Sequence, residues 1–202
     1  FFCIADDFCK EYEKEIQNHQ LQAGNVSKKR NRQTRMSQSE IITVMVCFHC
    51  GTFHNFKHYY RFYICEHMNS YFPNAVSYNR FVELQPRTIV PLMLLLKLVG
   101  FGECTGITYV DSTPIKVCHN KRIYSNKVFK DIAQRGKSTM GWFFGFKLHL
   151  VCNEKGELLN FSLTKGNVDD RKPDVINVLT KDLFGKLYAD KGSIRQKLFE
   201  ML

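Results

Sequence analysis

The chain has 202 residues, 44% of them hydrophobic, which is enough apolar material for one large domain or two small ones. Its 29 lysines and arginines outweigh 19 aspartates and glutamates for a formal charge of +10. That balance favours a polyanionic partner, nucleic acid ahead of an anionic membrane surface, with plain solubility as the remaining reading. The longest apolar run, Ile89 to Val99, is 11 residues and contains Pro91 and Lys97, too short to span a bilayer.

The eight cysteines are Cys3, Cys9, Cys47, Cys50, Cys65, Cys104, Cys118 and Cys152. They are scattered, mostly in apolar runs, and no secretory signal precedes them. The expectation is reduced, buried thiols in a cytoplasmic protein. The first residue is Phe, as expected of a trimmed N-terminus.

Residues 6–21 place Phe8, Tyr12, Ile16 and Leu21 among charges at near-helical spacing, predicting a first helix. A basic run follows, in which Lys28, Lys29, Arg30, Arg32 and Arg35 stand with no acid among them. Such a run is often only a solvated loop; here it leads into a helix start, which favours a phosphate-contacting arm. Ser37 with Glu40 forms a capping box before the apolar run Ile41 to Phe48, which Gly51 closes. A second helical stretch, Phe53 to Met68, is dense in aromatics and histidines. The pair around Gly51 resembles a helix-turn-helix no more than any helical hairpin does. A third helix is predicted from Ser77, broken at Pro86 and again at Pro91.

Beyond Gly102 the texture becomes mixed α/β. Gly106 to Val110 predicts a short strand ending at Asp111, and Trp142 to Cys152 a longer one. Asn153-Glu154-Lys155-Gly156 reads as a hairpin turn, with Leu158 to Thr164 as the return strand. Asp169 or Asp170 is expected to cap a helix with Pro173 in its first turn, running to about Asp182 and closed by Gly185. Lys186 to Ala189 is then a strand ending at Asp190, and a last helix is entered through Gly192. A right-handed crossover would lay the two Asp-terminated strands parallel in one mixed sheet with helices on its faces.

Ile-Thr-Tyr-Val-Asp111 and Lys-Leu-Tyr-Ala-Asp190 end alike. An aspartate after a strand is usually a turn or cap residue. Two on neighbouring parallel strands, however, emerge at one sheet edge, where open α/β sheets bind ligands. Hard oxygen donors there suit Mg²⁺ or Mn²⁺, and a pair of such ions serves phosphodiester displacement. Between the two aspartates lie Lys116, Lys121, Arg122, Lys127, Lys130, Arg135 and Lys137, with Asp131 as the one acid from 116 to 137. That segment either carries charge to a phosphate backbone or is a solvated insertion loop.

Four motifs in fixed order resemble bacterial DDE transposases, most closely those of the insertion-sequence 982 family. They are Tyr109-Val-Asp111-Ser-Thr-Pro-Ile-Lys-Val-Cys, Arg135-Gly-Lys-Ser-Thr-Met-Gly-Trp-Phe-Phe-Gly-Phe-Lys-Leu-His-Leu, Thr164-Lys-Gly-Asn-Val-Asp-Asp-Arg and Leu187-Tyr-Ala-Asp190-Lys-Gly. Ser37-Gln-Ser-Glu-Ile-Ile and Ser77-Tyr-Asn-Arg-Phe extend the likeness into the helical half. The resemblance implies an α/β fold: a helical region, residues 1–101, that helps bind the ends of a mobile element, and a partial RNase H-like catalytic domain, residues 102–202. It implies Asp111 and Asp190 as the first two metal-binding acids, Mg²⁺ or Mn²⁺ as cofactor, and DNA as partner. It further implies a homo-oligomer when full length and a cytoplasmic, nucleoid-associated location. The third acid, a Glu on a later helix, is expected beyond Leu202, since Glu200 comes too soon after Asp190. Ser193 stands where similar sequences carry Tyr. The chain is therefore expected to be C-terminally truncated, inactive alone and marginally stable, with apolar surface left exposed.

Gly136-Lys137-Ser138-Thr139 resembles the end of a phosphate-binding loop, but position 131, where the first glycine belongs, is Asp131. Cys47 and Cys50 with Cys65 and His67 have half a zinc site's spacing. Those cysteines read instead as core residues of a capped apolar helix, and His49, His54 and His58 as packing. Trp142 reads as packing at the start of a core strand rather than a base-stacking residue. The leading expectation is phosphodiester cleavage and strand transfer at transposon ends. A non-catalytic, DNA-binding or inhibitory product is the alternative, and a resolvase or RNA–DNA nuclease relative a third.

Overall fold

The computed structural model describes residues 1–22, 34–170 and 172–189, and the chain forms two compact units, Phe1–Val99 and Gly100–Leu202. The first is helical: α1 (Phe2–Gln22), α2 (Gln38–Cys50), a single turn α3 (Phe56–His58) running on as a π-helix over Tyr59–His67, α4 (Tyr78–Leu84) and α5 (Ile89–Leu95). The capping box forms as its sequence predicts. Ser37 Oγ accepts the Glu40 amide at 3.1 Å, and the Glu40 carboxylate accepts the Ser37 amide at 2.7 Å.

Helix α2 is buried on consecutive positions, Ile41 to Val44, because it lies between two clusters. Ile42 packs with Ala5, Cys9 and Leu95. On the other side Ile41 and Val44 meet an aromatic core that includes Tyr59, Tyr60, Phe72 and Phe81. Each such ring or branched side chain contributes about 1.5–3 kcal/mol by leaving water. The Tyr60 hydroxyl, buried with its ring, donates to the Val76 carbonyl at 2.7 Å.

Three expectations for this half need correction. Pro91 does not break a helix but lies buried in the first turn of α5, where its missing N–H costs no hydrogen bond. The helix break is at Pro86 alone, within a 3₁₀ turn over Gln85–Thr88. The cysteines are not generally buried: all eight are free thiols, and only Cys9 is buried while Cys3, Cys47 and Cys50 are exposed. Beyond Val44 helix α2 keeps Met45, Val46 and Phe48 partly buried against the core, while Cys47, His49 and Cys50 face solvent. His54 and His58 are exposed as well, so neither is a core residue, although His58 keeps a ring contact with Phe62 at 4.7 Å between centroids.

The second unit holds a mixed five-stranded sheet of β1 (Ile107–Cys118), β2 (Gln134–Ser138), β3 (Gly141–Asn153), β4 (Leu158–Lys165) and β5 (Lys186–Ala189), with α6 (Pro173–Thr180) between β4 and β5. Strand β3 pairs antiparallel with β1 on one edge. It also pairs antiparallel with β2 and with β4. Strand β5 adds to β1 in parallel, as the crossover rule anticipates. This α/β order, β4-β3-β1-β5, is consistent with the RNase H-like arrangement implied by the motifs. No described helix is long and apolar enough to cross a membrane.

Strand β1 extends seven residues past Asp111, to Cys118, because β3 continues to pair with it. The basic segment is accordingly not one loop: Lys116 belongs to β1, Lys121 and Arg122 to a 3₁₀ turn (Asn120–Ser125), and Arg135 and Lys137 to β2. Neither Asp169 nor Asp170 caps α6, whose N-cap is Lys172 and whose last residue is Thr180. Its C-terminal carbonyls are satisfied from the sheet, where the Asn160 amide donates to Val178 and Leu179 at 2.8 and 3.2 Å. Gly185 serves a close approach instead of a helix end: at φ +91° it lies against the backbone of Gly106, letting the Lys186 amide reach the Gly106 carbonyl at 2.8 Å.

One face of the sheet packs Val151 against Val175 and Leu179 of α6. On the other, Ile107, Tyr109, Ile115, Leu163 and Tyr188 are exposed. Gly136 sits where the end of β4 meets β2. A Cβ there would collide with the Gly166 carbonyl and the Phe143 ring. Gly136→Ala is therefore expected to cost about 2 kcal/mol or more, read as a lower chemical-denaturation midpoint; an unchanged midpoint would contradict the packing described.

Candidate active site

Asp111 lies on the central strand β1 opposite Leu150 of β3. Side chains alternate along a strand, so Asp111 shares its face with Tyr109 and Thr113, and Ser112 points to the other side. The Asp111 carboxylate is exposed, and its Oδ1 accepts the Ser112 amide at 2.8 Å. It enters no ion pair among the described residues. It is thus a hard oxygen donor open to a cation.

The parallel pairing of β1 and β5 runs Ile107↔Lys186, Thr108↔Leu187, Tyr109↔Tyr188 and Val110↔Ala189. Tyr109 and Tyr188 stack across it, their centroids 5.5 Å apart and planes 25° from parallel. The ladder ends at the residues that immediately precede Asp111 and Asp190 in the chain. Asp190 itself lies outside the described residues, as do Lys28, Lys29, Arg30 and Arg32. No cluster of three or more His, Cys, Asp or Glu side chains is placed to hold a metal among the described residues.

Behind Asp111 is a polar network that sequence reasoning did not single out. Ser112 Oγ donates to Asp170 Oδ2 at 3.1 Å. Lys147 Nζ donates to Asp170 Oδ1 at 2.9 Å and to the Val168 carbonyl at 3.0 Å. The two side chains of this ion pair are only 14% and 24% exposed, which makes it less screened than a surface pair. His149, directly across from Ser112, is 1% exposed and shares a hydrogen bond with Thr164 Oγ1 at 2.9 Å. Burial lowers the His149 pKa below the ordinary imidazole value, while the nearby Asp170 charge pulls it up and Lys147 pushes it down. The signal that could have found these residues is the alternation Lys147-Leu148-His149. It sets two polar side chains on one strand face, toward the side where Ser112 must point if Asp111 faces out.

The remaining predicted residues are surface cations. Arg35, Lys116, Lys121, Arg122, Lys127, Lys130, Arg135 and Lys137 are all exposed. Strand pairing brings Arg135 and Lys137 to one face of β2, opposite Phe144 and Trp142. Trp142 is not packed in the core as expected; it is 63% exposed, because it is the first pair after the tight Ser138–Gly141 turn at the sheet's end. The Gly136-Lys137-Ser138 segment is a β-strand, which removes the phosphate-loop reading.

A family model described as the transposase DDE domain matches residues 101–202, half of the chain, and the chain belongs to that family. No curated protein and no solved structure matches it.

Because His149 is held neutral, its contribution to stability is present above the unfolded imidazole pKa of about 6.5 and lost as the pH falls through the lower folded value. The urea midpoint should therefore drop on acidification from neutral pH, and His149→Gln should flatten that part of the curve. An identical pH profile in the variant would remove His149 as its source.

Proposed function

We propose that this protein is a DNA transposase of the insertion-sequence 982 type, cleaving phosphodiester bonds at element ends and transferring the strands, with Asp111 and Asp190 as its first two metal-binding acids. The observation that carries this is the β1–β5 ladder. Continued by one residue, it would set Asp190 beside Asp111 on the same face, next to the stacked Tyr109 and Tyr188. Membership in the transposase DDE domain family supports the same reaction class.

Mg²⁺ or Mn²⁺ held by these carboxylates would supply charge neutralisation at phosphate and activation of a water or 3′-hydroxyl. What the protein's own residues contribute is placement. β1 fixes the Asp111 carboxylate through pairing on both edges, and the Lys147–Asp170–Ser112 network braces that strand from behind. Lys116, Lys121, Arg122, Lys127, Lys130, Arg135 and Lys137, with the run from Lys28 to Arg35, are the proposed phosphate contacts. The helical unit is proposed to bind the element's terminal repeats, and the full-length protein to act as an oligomer on nucleoid DNA in the cytoplasm.

In the full-length protein, Asp111→Asn should reduce Mg²⁺-dependent nicking of terminal-repeat DNA by roughly a thousandfold or more. DNA affinity should stay within about twofold, since the side chain adds no cation. Nicking that survives would reject the assignment; DNA binding without nicking in the wild type as well would leave a non-catalytic, DNA-binding product.

A further inference from the structure

Trp142 is the chain's single tryptophan, and it is used in a way its neighbours are not. Phe143 and Phe144, the next two residues of β3, are 1% and 6% exposed, whereas the indole of Trp142 is 63% exposed. Lys137 stands directly across the strand pair from it, and Arg135 follows on the same face of β2. Directly opposed and diagonal side chains in an antiparallel pair lie within reach of each other, so the indole has two cations beside it on β2. Neither cation enters an ion pair among the described residues. Asn120 anchors the spot from beneath, its amide donating to the Trp142 carbonyl at 2.8 Å, and Asn120, Arg135 and Trp142 together line a pocket. A wider cleft beside it is lined by Arg135, Lys137, Trp142, Lys147 and the acids Asp169 and Asp170, of which Asp170 is committed to Lys147.

We propose that Trp142, Arg135 and Lys137 form a platform for an unpaired nucleotide of DNA, the base stacking on the indole and its phosphates held by the two cations. The proposal deepens the DNA-processing reading and rests on it. An exposed aromatic beside two cations that enter no ion pair among the described residues has the chemistry of single-strand binding: the ring face accepts any base, and the cations accept the backbone. A base inside a duplex is already stacked on its neighbours, so the platform favours DNA whose bases are free. The high positive charge of the surrounding segment gives the complementarity that selects a polyanion over another apolar surface.

The single tryptophan makes the test direct. The 202-residue chain is titrated with oligothymidylate and, separately, with a fully paired duplex. Tryptophan emission and the anisotropy of labelled DNA are followed together. The expected result is quenching by oligothymidylate and little change with duplex. Trp142→Ala should weaken oligothymidylate binding by roughly tenfold and leave duplex affinity and the thermal midpoint unchanged, while Trp142→Phe retains part of the affinity. DNA binding by anisotropy with unaltered emission, and wild-type affinity in Trp142→Ala, would overturn the platform and leave the DNA reading standing. Absence of binding to either DNA would overturn both. A blue shift on concentrating the protein without DNA would assign the indole to a second copy of the chain and overturn the proposal too.

Discussion

Strand β1 is paired on both edges, and the pairings differ in kind. Along β3 it is antiparallel over nearly its whole length, which aligns it rigidly and leaves its alternate residues committed to one face or the other. Along β5 it is parallel for four residues and no further, from Ile107 to Val110. A parallel partner can only arrive after a crossover, here through α6, whose Val175 and Leu179 pack on Val151 of the sheet. The apolar contact under α6 therefore determines where β5 docks. That docking determines which residues of two distant segments meet at the end of the ladder. A slip of one residue would turn Tyr188 and its neighbours to the opposite face, and the Tyr109–Tyr188 stack opposes such a slip.

The two faces of the sheet divide the work. The face behind Asp111 holds the buried His149, the Lys147–Asp170 pair and the helix; its polar groups are satisfied within the protein, which stiffens the strand carrying the carboxylate. The face bearing Asp111 is open, with aromatic and aliphatic side chains beside an exposed acid. At the far end of β3, glycines at 136, 145 and 166 let three backbones approach more closely than any side chain would permit. That junction carries β2, with Arg135, Lys137 and the neighbouring Trp142, at the end of the same sheet that holds Asp111.

Much of this was legible in the sequence because the signals were local. The capping box at Ser37, the hairpin around Asn153 and Gly156, and the strand Lys186–Ala189 each depend on residues within a few positions of one another. What escaped depended on partners far along the chain. The extension of β1 past Asp111 needs β3, and β2 was hidden in a basic segment whose strand character comes from pairing rather than from apolar alternation. Asp170 sits where a helix cap was expected, but the N-cap position falls at Lys172 and the Asp170 carboxylate is taken by Lys147, twenty-three residues earlier. Cys47 and Cys50 lie in a largely apolar helix yet face solvent, since local hydrophobicity does not reveal which side of a helix its core covers. Asp111 as a candidate was visible from its motif; the network behind it became visible only when the strand faces were known.

In the proposed site Asp111 and Asp190 would hold one divalent cation between them. Crystals of the full-length protein grown with Mn²⁺ test it by anomalous diffraction. The account predicts a peak about 2.1 Å from a carboxylate oxygen of each of the two aspartates. A peak bound to one of them alone, or a pair of carboxylates too far apart to share an ion, would contradict it.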